Sequence, residues 1–100
     1  MLVLPASVTN REARDTLRLL TQAMRSNGAE NVVIDASPLQ QLDSAAIAVL
    51  LECRRLAQAS GRSFELRGAP PKLTALAELY GVDALLLAQQ PAPQATNRSA

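Results

Sequence analysis

The sequence predicts a small α/β domain: a mainly parallel sheet with helices packed on it. Three observations carry that reading. Short apolar runs of strand length alternate with single amphipathic stretches in the order β-α-β-α-β-α, and such alternation implies right-handed crossovers between parallel strands. The 100 residues suit one domain, and 48% of them are apolar, enough to build one core. Only Phe64 and Tyr80 are aromatic, so that core must come from Leu, Val, Ile and Ala.

Leu2 to Leu4 is a short apolar run and reads as the first strand. Thr9 and Glu12 then form a capping box, each side chain satisfying an amide at the start of a helix. Ala13, Leu17, Leu20 and Met24 line one face of that helix, and Asn27-Gly28 stops it. Its other face carries Arg11, Asp15, Arg18, Gln22 and Arg25, a solvated surface. Asn31-Val-Val-Ile-Asp35 is a compact buried strand, bounded upstream by Gly28 and downstream by Ser37-Pro38.

Asp43-Ser44 opens the next helix, because a short oxygen-bearing side chain accepts from the unpaired amides of a first turn. Either residue can be the cap. The helix runs to about Ser60 and ends at Gly61. Its apolar stripe is Ala46, Val49, Leu50, Cys53, Leu56 and Ala57. Yet the seven residues from Ala45 to Leu51 are all apolar, so Ile47, Ala48 and Leu51 form a second, adjacent apolar face. Surplus apolar surface beside an N-terminal hydroxyl suits docking better than catalysis. Ile47, close to the helix start, is the stronger contact candidate; a neighbouring helix is as good a cover for Leu51 as a partner is.

Ser63-Phe-Glu-Leu-Arg67 alternates and reads as an edge or half-exposed strand. Pro70-Pro71 places proline at the first turn of a helix in which Leu73, Leu76, Ala77 and Tyr80 recur on one face, with Gly81 as its stop. Val82 to Leu87 is an apolar coda, helix or strand. Residues 89–100, with Pro91, Pro93 and a polar finish, are expected to be disordered, leaving 1–88 as the domain.

Composition also excludes chemistry. Ten basic and nine acidic residues balance to +1, with no Lys/Arg cluster, so no nucleic-acid footprint is expected. Histidine is absent and Cys53 stands alone, so neither a zinc site nor a disulfide framework can be assembled, and a reduced, cytosolic setting is the simplest. The four glycines are isolated, which leaves no phosphate-binding loop. A serine nucleophile needs a base, and Lys72 is the only lysine. Asp35 and Asp43 flank one loop and offer an acidic pair, but a carboxylate ending a strand more often binds the loop after it. No secretory leader is expected, since Met1 to Leu4 runs into Pro5 without a basic stretch. Nor does any apolar run approach the ~20 residues of a membrane-spanning helix. No cofactor is expected.

The stretch from Val33 to Leu51 resembles the signature of the STAS family, the domains shared by sulfate transporters and anti-sigma factor antagonists. Asp35, Leu39, Leu42, Asp43 and Ser44 match its pattern of a strand ending in Asp, a loop with spaced hydrophobics, and Asp-Ser opening an apolar helix. The similarity extends through Gly61 to Gly68 and Leu76 to Gly81, and the run Leu66 to Val82 is similar to a narrower branch, the small STAS subunit of Mla phospholipid-transport ABC systems. The resemblance implies about four strands, no enzymatic activity, and a cytoplasmic subunit that binds the transporter's ATPase and meets the membrane only through it. It implies a contact surface at Ser44; from the apolar face read above, Asp43, Ile47, Ala48 and Leu51 are expected around it, with Gln40 and Gln41, or Glu52 and Arg55, as a polar rim.

The chain departs from the family twice. Anti-sigma antagonists continue Asp-Ser-Ser-Gly and are phosphorylated at the first Ser; here Ala45 and Ala46 take the last two places, although Ser44 keeps the hydroxyl. STAS domains also begin with two strands, and only Leu2 to Leu4 is legible. An uncovered sheet edge would favour pairing with another chain, so a homodimer is a further expectation.

Overall fold

A computed structural model describes residues 2–27 and 31–87. The expected stop at Gly28 and the expected tail at 89–100 lie outside the described residues. The elements are β1 (Leu2–Val3), β2 (Ser7–Val8), α1 (Ala13–Asn27), β3 (Asn31–Asp35), β4 (Gln41–Leu42), α2 (Ser44–Ala59), β5 (Ser63–Arg67), α3 (Pro71–Leu79) and α4 (Asp83–Leu86).

All the strand pairs are parallel. The main sheet has the order β1-β3-β5, with Leu2 opposite Ile34 and Val32 opposite Phe64. Helix α1 connects β1 to β3 and α2 connects β3 to β5, the crossover pattern that alternation implies. α1 and α2 pack on each other, and α2 also touches β5, α3 and α4, so it is the central helix. Ile34, Leu50, Cys53, Phe64, Leu73 and Leu86 are fully buried around it. Burial, with Glu52 adding to it, pushes the Cys53 thiol up to about 12, so the thiol stays protonated inside the core.

Two elements correct the sequence reading. The segment read as a loop with spaced hydrophobics holds β4, and β2 precedes α1, so the chain has two N-terminal strands after all. β2 and β4 form a separate two-stranded sheet, with Ser7 opposite Gln41 and Val8 opposite Leu42. Val8, Leu39 and Leu42 are buried there, and the amides of Gln40 and Gln41 both donate to the Ala6 carbonyl, at 2.7 and 2.9 Å. Ser7–Val8 and Gln41–Leu42 each hold a single apolar residue, so unlike Leu2 to Leu4 neither makes an apolar run, which is why neither was legible. This small sheet matters for the site, because it ties the lead-in of α1 to the lead-in of α2.

Thr9 and Glu12 do pair, closing the turn ahead of α1, and the Arg11 amide donates to Thr9 Oγ1 at 3.3 Å. The Thr9 amide and hydroxyl both donate to Glu12 Oε1, at 2.8 and 2.7 Å, and these bonds hold the Glu12 carboxyl below its ordinary range. Asp35 likewise binds the loop that follows, accepting from the Ser37 amide and hydroxyl, and its carboxyl is lowered by those bonds and by Arg67. Gly68 closes over this turn with φ +67°; a Cβ there would lie 2.9 Å from Ser37 Cβ, so glycine is required by both backbone and space.

Candidate functional site

The start of α2 is built by one carboxylate. Asp43 is the cap, in extended backbone, and its Oδ1 accepts from the Ala45 amide at 2.8 Å. Its Oδ2 accepts from the Asn10 amide at 3.1 Å, just before α1. The same side chain therefore fixes the starts of two helices side by side, reinforcing the β2–β4 link.

Ser44 is thereby relieved of capping. It is the first residue of α2, it is exposed, and its hydroxyl makes no hydrogen bond among the described residues. The choice the sequence left open is settled: Asp43 caps, and Ser44 presents a free donor and acceptor to solvent.

Two grooves flank this point. One, of about 560 Å³, runs between α1 and α2; Asn10, Ala13, Arg14 and Leu17 form one wall, and Asp43, Ser44, Ala45, Ala48 and Val49 the other. The second, of about 240 Å³, is almost wholly apolar and is lined by Ser44, Ile47, Ala48, Leu51, Tyr80 and Val82. Ser44 and Ala48, one helical turn apart, line both. They form an exposed ridge with a cleft on each side.

Most of the residues singled out from the sequence meet here, though not all in the expected way. Ser44 and Ala48 are exposed and Leu51 is half-buried beside them. Ile47 is a correction: it is only 4% exposed and belongs to the core, on a helix against which α1, β5, α3 and α4 all pack. It supports the floor of the second groove and does not project from it. Gln40 and Gln41 are exposed but line neither groove, their amides being taken by Ala6. Glu52 and Arg55 pair with each other through two bonds, at 2.9 and 2.5 Å.

Tyr80 corrects the reading in the opposite direction. Its spacing placed it on the buried stripe of α3, yet it is 53% exposed. It sits at the cap of α3, where Gly81 at φ +71° turns the chain away. The α1 wall was also missed. Nothing in the sequence shows that residues 10–17 lie against residues 43–49, since only the topology brings them together.

The site offers contact more than reaction. Among the described residues no group of His, Cys, Asp or Glu is placed to hold a metal ion. Asp35 and Asp43 do not act as a pair: Asp35 is committed to the amide and hydroxyl of Ser37, and Asp43 to the amides of Ala45 and Asn10. No helix among the described residues is long and apolar enough to cross a membrane.

The family model described as "Mlab, STAS domain" matches residues 1–88. The chain belongs to the STAS domain family. None of the curated proteins matches it. The two N-terminal strands, β1 paired with β3 and β2 with β4, both lie within the matched residues. At the departure, Ala45-Ala46, Ala46 is 1% exposed and packs in the core, while Ala45 lines the first groove.

Proposed function

We propose that this STAS domain is a non-enzymatic, cytoplasmic subunit that docks on the ATPase of an ABC phospholipid transporter. In this reading the transporter maintains the lipid asymmetry of the Gram-negative outer membrane, and the domain meets the inner membrane only through it. The observation that carries the proposal is the free Ser44 hydroxyl on a ridge between two largely apolar grooves, within the surface that runs from Pro38 to Leu51. The Mlab-type family match supports it. Apolar, charge-poor clefts with a polar rim are what interface cores use, and an exposed Tyr80 on the rim is the kind of residue that anchors them. The mechanism is linkage: a domain that binds one conformation or assembly state of the ATPase raises its population in proportion to the difference in affinity.

The test is co-purification of the transporter ATPase with tagged wild-type and Ser44→Asp protein. An aspartate at the first position of α2 favours the helix N-terminus, so the variant should melt as wild type does. It places a charge in both grooves and should weaken capture by ~10-fold or more. Wild-type protein that recovers no ATPase would defeat the proposal. Recovery of a serine kinase, with phosphate on Ser44, would place the domain among anti-sigma factor antagonists, a reading that the exposed hydroxyl permits but the loss of the Ser-Gly pair at Ala45-Ala46 disfavours.

A further inference from the structure

The groove between α1 and α2 has a charge on its rim that the molecule does not answer. Arg11, Arg14, Arg18 and Arg25 all stand exposed along α1 and its lead-in, against one exposed acid, Asp15, and the half-buried Glu12, whose carboxylate is taken up by Ser7 and Thr9. Asp15 lies 3.8 Å from Arg18. Arg14 lines the groove and makes no ion pair or hydrogen bond among the described residues. The other charged residue in the groove, Asp43, has both oxygens occupied by the amides of Asn10 and Ala45.

The walls also restrict the shape of what can enter. Ala13, Arg14 and Leu17 share one face of α1, a strip about 6 Å long at 1.5 Å per residue, and Asn10 extends it from the turn before the helix. Most of each wall is α-helix, so an extended segment would find no strand edge to join. Ala13, Ala45 and Ala48 contribute only methyl groups, which lets another helix approach closely.

We propose that this groove seats a helix of the docking partner, with a partner carboxylate held in the guanidinium fork of Arg14. The proposal rests on the docking reading above and adds to it the chemistry of the occupant. A planar fork meeting a carboxylate gives two parallel hydrogen bonds and fixes the register of the incoming helix, which a point charge does not. The remaining arginines of α1 favour the same acidic flank during encounter.

The experiment is a titration of the full chain, as wild type, Arg14→Glu and Arg14→Lys, into the purified transporter ATPase at about 50 mM and about 500 mM NaCl. Arg14 is exposed, so all three should melt alike. Arg14→Glu should weaken binding ~10-fold at low salt, and by much less at high salt, where screening shortens the reach of the charge. Arg14→Lys should fall between the two. Equal affinity of Arg14→Glu and wild type at both salts would overturn the proposal while leaving the docking reading standing. Wild-type protein that fails to bind the ATPase would remove the docking reading and this proposal with it, and that failure shows before any variant is compared. Arginine-dependent binding to anionic vesicles, with ATPase affinity unchanged by Arg14→Glu, would also overturn it.

Discussion

Replacing Ala48 by arginine is expected to abolish capture of the ATPase while leaving the domain folded. Ala48 is exposed on α2 and lines both grooves, so a side chain added there enters whatever either groove receives. Arginine is a good helix former, and an exposed helical substitution of this kind usually shifts stability by no more than ~0.5 kcal/mol. Against a docked partner the same side chain must either displace the contact or bury a charge with no counterpart, each costing several kcal/mol. Affinity should therefore fall by ~100-fold or more. Titration against the ATPase, with urea melts of both proteins, measures the two effects separately. Unchanged affinity would move the interface away from the Ser44–Ala48 ridge.

Phe64→Ala should have the largest effect on the fold itself. Phe64 is the largest of the fully buried side chains, at 0% exposure, and it stands on β5 opposite Val32 of β3. Truncation removes its transfer energy and leaves a cavity that the rigid sheet and α2 fill only partly. Such changes cost ~3–5 kcal/mol. A domain of this size has roughly 5–15 kcal/mol in total, so the urea midpoint should drop by about a fifth or more. A loss under about 1 kcal/mol would mean that the core collapses around the gap far more freely than its packing implies.

How much of this was legible depended on length and locality. The strands Asn31–Asp35 and Ser63–Arg67 were read with their exact bounds, because five residues suffice to show an apolar pattern between turn signals. The bounds of α2 and α3 followed from local caps: Asp43 and Gly61 for one, Pro71 and Gly81 for the other. The strands β2 and β4 were hidden, since each holds one apolar residue beside a polar one and their pairing joins residues far apart in the chain. Ile47 and Tyr80 exchanged roles for a related reason. Helical spacing says which residues share a face, but not which face a later element will cover. Ile47 is buried in the core, and the turn at Gly81 leaves Tyr80 outside. Ser44, Asp43 and Ala48 were found because a helix start is written in adjacent residues, whereas Arg14 and Leu17 became part of the site only through the packing of α1 on α2.

The central claim is that the ridge at the start of α2, with its two grooves, is the docking surface. Amide hydrogen exchange of the domain, alone and bound to the purified ATPase, tests it most directly. The account predicts protection on binding at residues 10–17, 44–51 and 80–82, with β1 and β5 unchanged. Protection confined to the edges of the main sheet, with those three segments exchanging as in the free protein, would contradict it.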